Sequence, residues 1–315
     1  MRIIRGINSI IDNLKNPVVT LGNFDGVHRG HQAIFHTVVK RAREIGGTSV
    51  AFTFEPHPLK VLAPHRSLRL LNTFHAKMEL IASCGIDVVI CAAFTRTFAD
   101  QHPDDFARDI LHEKMGTREI YVGYDYAFGK NREGGIQSLI KMGQRYGFGV
   151  TIMEAVHVDG LVVSSTRIRE LIESGKMEEA ANLLGRYYAI EGAVVHGSHR
   201  GRKLGYPTAN LQTPNELLPP EGVYAVFAEI EGKTYSGAAA LGIRPTFEAG
   251  PMVLEISLFD FSGDLYGKLM KVSFVHYLRS EKKFTDEAAL ISQIRMDIDH
   301  VKEILGQASL LFRTC

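Results

Sequence analysis

The sequence predicts two unlike domains in tandem: an α/β domain on a parallel sheet over residues 1–184, then a small antiparallel β-barrel with a C-terminal helix over residues 185–315. Three observations predict this. In the first part, short apolar runs of strand type alternate with segments of helical periodicity, the pattern of a parallel sheet covered by helices on both faces. From Leu184-Gly-Arg186 onward the texture changes to strands and turns, dense enough for a closed barrel. Near the end, Leu290, Ile291, Ile294, Ile298, Val301 and Leu305 recur at helical spacing and form one apolar face.

The first strand is Pro17-Val-Val-Thr-Leu21, followed by a helix over about residues 30–46 whose apolar face is Ile34, Phe35, Val38, Val39, Ala42 and Ile45. Further strands are expected at Ser49-Val-Ala-Phe-Thr-Phe54, Asp87-Val-Val-Ile-Cys91, Glu119-Ile-Tyr-Val122 and Val150-Thr-Ile-Met153, with helices at about 103–115 and 135–146. In such sheets ligands bind beyond the carboxyl ends of the strands. The first of these ends carries Gly22-Asn-Phe-Asp-Gly-Val-His-Arg-Gly-His31. Unpartnered amides at a helix start, and the dipole behind them, hold anions. His28 and His31 add donors for phosphate oxygens, and Gly22, Gly26 and Gly30 allow close backbone approach. Ser164-Ser-Thr-Arg-Ile-Arg169 opens a later helix; its two arginines sit against the positive end of the dipole, a conflict that a bound anion relieves.

In the second half, strands are expected over residues 188–195, 222–230, 234–241, 253–259 and 269–277. Glu231-Gly-Lys233 and Ser262-Gly-Asp264 read as hairpin connections, and Thr285 as the cap of the last helix, with Asp286 and Glu287 in its first turn. His196-Gly-Ser-His-Arg-Gly-Arg-Lys-Leu-Gly-Tyr-Pro-Thr-Ala-Asn210 joins a glycine-rich basic loop to a turn. Thr208 and Asn210 are two apart, so in an extended segment their oxygens face the same way and suit a Mg²⁺ that bridges phosphates, with Arg202 and Lys203 balancing charge. Glu255 is a carboxylate in an otherwise apolar strand, where alternate positions face water.

Charge is nearly balanced, 36 basic against 35 acidic residues, so neither nucleic acid nor an anionic membrane is expected as a partner. Cys84, Cys91 and Cys315 lack metal-ligand spacing and suit a reducing compartment. Neither a signal peptide nor a run of membrane-spanning length is present, which makes a cytoplasmic protein the expectation; the sequence leaves a homo-oligomer open. Neither G-x-G-x-x-G nor G-x-x-x-x-G-K-[ST] occurs.

The ten-residue segment at 22–31 and the later SSTRIR resemble the two signatures of the nucleotidyltransferase superfamily, whose domain is Rossmann-like. Together with TFEPHP, VGYDYAFGKNREG, GRKLGYPTAN, PPEGVYAV, GIRPTF, LEISLFDFSGDLYGK and LRSEKKF, they resemble the bacterial bifunctional riboflavin kinase and FAD synthetase family over essentially the whole chain. The resemblance implies that riboflavin is phosphorylated to FMN, and FMN adenylylated to FAD with release of pyrophosphate, with ATP as co-substrate and Mg²⁺ as cofactor. It further implies that His28 and His31 contact triphosphate, and that Gly22, Asn23, Phe24, Asp25, Gly26, Gly30 and Asp125 bind nucleotide. Ser164, Ser165, Thr166, Arg167 and Arg169 would close over ATP, and Phe54, Pro56 and Phe128 would meet flavin. In the barrel it implies that Gly197, Arg202, Lys203, Gly205, Tyr206 and Pro207 bind nucleotide, Thr208 and Asn210 hold the metal, and Glu255 is the base. Two positions depart from the family's usual pattern beside the kinase site: Ala240 stands where Asn is common, and Ser257 where His is frequent.

Overall fold

The computed structural model describes residues 1–10, 14–129, 134–197, 205–245 and 249–308, with the side chains of residues 243–245 and 249–251 left aside. The chain divides into two compact units. One comprises Met1–Leu70 with Phe74–Ser164; the other comprises Leu71–Thr73 and the chain from Ser165 onward.

The first unit holds six parallel strands: β1 (Arg2–Arg5), β2 (Val18–Leu21), β3 (Ser49–Glu55), β4 (Val88–Ala93), β5 (Glu119–Gly123) and β6 (Gly149–Met153). Their spatial order is β1-β4-β3-β2-β5-β6. The chain builds outward from β2 to one edge, then returns to lay β5 on its other side, so the order reverses between β2 and β5. Period-two alternation sends side chains to opposite faces. Val18, Ala51, Val89 and Tyr121 meet helices α1 (Arg29–Glu44) and α2 (Phe74–Ser83) on one face. Val19, Phe52, Ile90 and Ile120 meet α3 (Phe106–Lys114) and α4 (Ile136–Tyr146) on the other. The far end of α1 is tied to the start of β5 by Arg41, whose Nε and Nη2 donate to the Glu119 carboxylate at 2.9 and 2.8 Å.

Each expected strand and helix of the first half is present, and among the elements not anticipated two shape the sheet and its covering. The edge strand β1 lies parallel to β4, with Arg5 opposite Cys91. Its four residues are too few to show a period. Helix α2 carries a lysine in its apolar stripe, which hid the pattern.

The second unit opens with α5 (Ser165–Glu173) and α6 (Met177–Leu184) and continues as six antiparallel strands closing a barrel: β7 (Tyr188–Val195), β8 (Ala209–Gln212), β9 (Gly222–Ile230), β10 (Lys233–Pro245), β11 (Ala249–Leu258) and β12 (Leu269–Arg279). Around the barrel the order is β7-β8-β11-β10-β9-β12. Tyr188, Ile190, Tyr224, Val226, Leu254, Ile256, Val272 and Phe274 fill the interior. Glu231 and Gly232 both have positive φ and make the two-residue turn joining β9 to β10, the backbone that matches the strands' twist.

Three expectations are corrected here. Ser262-Gly-Asp264 is not a hairpin connection, because β11 and β12 are not neighbours; it crosses the barrel instead. Ala209 and Asn210, expected in a turn, start β8, the strand that closes the barrel between β7 and β11. The cap of the last helix, α7 (Glu287–Gln307), is Asp286, whose Oδ1 accepts the Ala289 N–H at 2.8 Å; Thr285 only donates to the Asp286 carboxylate. The α7 stripe includes Asp297, which is buried; Arg279 donates to both its oxygens and Gln293 adds a further bond at 2.8 Å. Below it, Val301 and Leu305 pack on Ala225 and Val275, outside the barrel.

Candidate active sites

In the first unit, the segment after β2 is held in an unusual backbone conformation. Phe24, Gly26 and Val27 all have positive φ, at 51°, 84° and 39°. For a β-branched residue this is an outlier, costing on the order of 1–3 kcal/mol, and it persists only where packing over-determines it. Phe24 and Val27 are fully buried, and the Phe24 ring meets His31 edge-on at 5.3 Å and Phe35 at 4.7 Å. The strained turn therefore delivers the chain to the mouth of α1 in one geometry.

His28 caps that helix: its Nδ1 accepts the His31 N–H at 3.4 Å, and the two imidazoles stack at 3.6 Å between centroids. A Cβ on Gly22 would sit 2.8 Å from the Phe24 ring, so close approach favours glycine there, and one on Gly30 would crowd the His28 ring at 3.1 Å. Asp25 is buried at 5% exposure, and Asn23 accepts from Thr53 Oγ1 at 3.2 Å through its carbonyl. The mouth of α1 thus gathers two imidazoles and a helix N-terminus with no acidic residue in its first turn.

Because β2 and β5 are neighbours, the loop after β5 begins beside this segment. It carries Asp125, exposed, and Phe128, half-buried. Phe54 and Phe128 belong to the core cluster on the face opposite α1, where Phe106 lies 5.5 Å from Phe128 and 5.8 Å from Phe52. Pro56 is exposed beyond β3. The expected phosphate ligands and the expected flavin ligands thus fall on opposite faces of one carboxyl edge. Ser164 ends the first unit, while Ser165, Thr166, Arg167 and Arg169 lie in α5 of the second. Arg167 donates to Glu170 at 3.2 Å.

In the barrel, Val195, Asn210, Glu255 and Ala240 form one row across β7, β8, β11 and β10. The row lies on the outer face, since Leu254 and Ile256 point inward. Asn210 is buried at 6% exposure. Thr208 donates to Glu255 Oε2 at 3.4 Å, which brings Thr208, Asn210 and Glu255 into one oxygen-rich cluster. Gly197 presses against the Asn210 amide so closely that a Cβ there would lie 2.2 Å from Nδ2. Gly205 has φ +84°, Pro207 is exposed, and the Tyr206 hydroxyl accepts from Arg295 at 3.3 Å. Arg202 and Lys203 lie outside the described residues. Ala240, the first departure, stands directly across from Glu255, and Ser257 is two residues along the same face.

Two groups near these sites were not anticipated. Glu281 rests on Gly242, where a Cβ would meet its Oε1 at 2.0 Å, and so borders the Glu255 row. Lys77 on α2 is only 8% exposed, and desolvation lowers its pKa. Its signal was present: Phe74, Lys77, Met78 and Ile81 follow helical spacing, which puts a lysine where an apolar residue belongs.

Among the described residues, no helix is long and apolar enough to cross a membrane. The chain is 37% identical over 305 residues to a bifunctional riboflavin kinase/FMN adenylyltransferase of Pseudomonas fluorescens, covering 95% of this chain and 96% of that one. It is 36% identical to the protein so named from Escherichia coli K12, covering 97% and 98%. A crystal structure titled as a macrolide-efflux protein from Streptococcus pneumoniae superposes with a TM-score of 0.88 at 30% identity, over 96% of this chain and 99% of that one. The FAD synthetase family model matches residues 10–167 and the riboflavin kinase model residues 184–305. With both matches in tandem and full-length relatives of the same construction, the chain belongs to the bifunctional riboflavin kinase/FMN adenylyltransferase family, enzymes of flavin cofactor synthesis.

Proposed function

We propose that the two reactions are divided between the two sites, with adenylyl transfer to FMN at the mouth of α1 and riboflavin phosphorylation on the outer face of the barrel, and with the functional boundary between residues 184 and 185. The observation that carries this is the pair of separate polar constellations: stacked imidazoles at a helix N-terminus in one unit, and Thr208, Asn210 and Glu255 clustered in the other.

In the barrel, Glu255 accepts the proton of the riboflavin 5′-hydroxyl as that oxygen attacks the γ-phosphate of ATP; FMN and ADP leave. The Thr208 hydroxyl, the Asn210 amide oxygen and the nearby carboxylate are the hard oxygen donors that Mg²⁺ prefers, so the cluster fits that ion. Thr208 and Asn210 would hold it, and it would neutralise phosphate charge. Gly197, Gly205, Tyr206 and Pro207, with Arg202 and Lys203, would surround the nucleotide.

At the α1 site, an FMN phosphate oxygen attacks the α-phosphate of a second ATP and pyrophosphate leaves toward His28, His31 and the helix amides. The nucleophile is already ionised, so positioning and charge stabilisation are the protein's contribution. The flavin ring would lie toward Phe54, Pro56 and Phe128. Asp125 would bind nucleotide, as would Ser164, Ser165, Thr166, Arg167 and Arg169. The buried thiols of Cys84 and Cys91 fit a cytoplasmic setting.

The test is to incubate the protein with riboflavin, ATP and Mg²⁺ and to resolve the flavins by chromatography. Sequential appearance of FMN and FAD is expected, and separate variants should remove one product without the other. Loss of both activities in either class of variant would refute the division.

A further inference from the structure

Lys77 is the least expected charge in the first unit. It is buried at 8% exposure, and among the described residues its single hydrogen bond is a long one, 3.5 Å, to the Phe54 carbonyl. An ammonium carries three donors, and desolvating it against a single long bond is costly. The carboxylates of Asp25 and Glu55 and the Cys91 thiol are near enough to interact electrostatically, but none of them forms an ion pair with it. Beside it is the Phe74 ring, 5.8 Å away.

Its position is informative. Phe54 precedes the last residue of β3, so the ammonium lies at the carboxyl edge of the sheet. Helix α2 packs on the same face as α1, whose N-terminus carries His28 and His31. Alternation along β3 and β4 turns Thr53, Glu55 and Cys91 toward that face too. A buried positive charge with one long hydrogen bond therefore stands on the same face and at the same edge as the imidazole pair. A sequence keeps such a charge at a cost in stability where a ligand needs it.

We propose that Lys77 is a phosphate-binding residue of the adenylyl-transfer site, its ammonium donating to phosphate oxygens of a bound substrate. The proposal deepens the reading of that site given above and rests on it. The shared chemistry is a phosphate oxygen, whether from the nucleotide or from FMN.

The experiment compares wild type with K77M, which keeps an unbranched stem and removes the charge, and with K77R, which keeps the charge. FAD formation from FMN and ATP should fall on the order of 100-fold in K77M, as for loss of one charge-stabilising donor, and should be partly restored in K77R. Pyrophosphate binding by calorimetry should weaken in K77M, while riboflavin phosphorylation and the melting temperature hold or the latter rises. A raised KM for ATP assigns the ammonium to the nucleotide, and a raised KM for FMN assigns it to the flavin phosphate. On wild type alone, pyrophosphate should suppress labelling of Lys77 by an amine-reactive ester, read by peptide mass spectrometry. Undiminished FAD formation in K77M, or labelling indifferent to pyrophosphate, would overturn the proposal. Wild type that makes no FAD from FMN and ATP would instead overturn the reading of the site itself.

Discussion

Gly197→Ala should silence the barrel reaction through a single methyl group. A Cβ at this position would lie 2.2 Å from Asn210 Nδ2, 2.6 Å from its Cγ and 2.8 Å from its Oδ1. Ordinary van der Waals contact begins near 3.4 Å, so the amide must retreat by about 1.2 Å. Asn210 has little room to do so, being 6% exposed and held in β8 between Val195 and Glu255. Overpacking of this kind costs about 1–3 kcal/mol, which a folded domain survives. The functional cost is larger, because a misplacement of ~1 Å at a positioning group lowers rate by about 100-fold. The assay follows riboflavin to FMN, and FMN to FAD in a parallel reaction, by chromatography with a melting curve alongside. The expected result is FMN formation reduced about 100-fold, FAD formation from supplied FMN within twofold of wild type, and a cooperative melt. Riboflavin phosphorylation at the wild-type rate would show that Asn210 does not position the reaction.

His28→Ala or His31→Ala should lower FAD formation on the order of 100-fold and leave FMN formation intact, and Asn210→Ala or Glu255→Ala should do the reverse, read in the same two-product assay. Asp297→Ala should destabilise the second unit by about 3–5 kcal/mol, seen in denaturant unfolding, because it strands the Arg279 guanidinium that Asp297 satisfies at 2.6 Å. Hydrogen bonding from Arg41 holds the Glu119 carboxyl below its ordinary pKa, with Tyr121 adding to the effect. A depressed carboxyl stabilises the fold above its unfolded pKa near 4.3 and loses that contribution as pH falls through the folded value. Melting temperatures of wild type and E119Q should therefore differ at pH 7 and converge as pH drops below about 4.

The local signals in this chain were strong wherever period and composition agree. Strands β3 to β6, the α1 helix, the barrel strands other than β8 and the apolar stripe of α7 are legible because each is long enough to repeat its pattern, and the four-residue β2 because its apolar run leads straight into the glycine-rich turn. The imidazole pair was legible because the whole ten-residue segment lies between a strand and an amphipathic helix, where His-x-Gly-His alone would have been an ordinary cap. Two other short strands were not: β1 and β8 have four residues each, and their existence follows from a sheet edge and a barrel gap that only neighbouring strands define.

Nearness in space was never written in the local pattern. That β2 adjoins β5, that Asn210 and Ala240 flank Glu255, and that Lys77 stands at the imidazoles' edge and face depends on strand order and register. The sequence by itself settled which chemical groups are available and on what kind of element each rides, since propensity and periodicity act over a few residues. Folding settled which of them share an edge or a row, since hydrogen-bonded pairing and core packing join residues far apart in the chain.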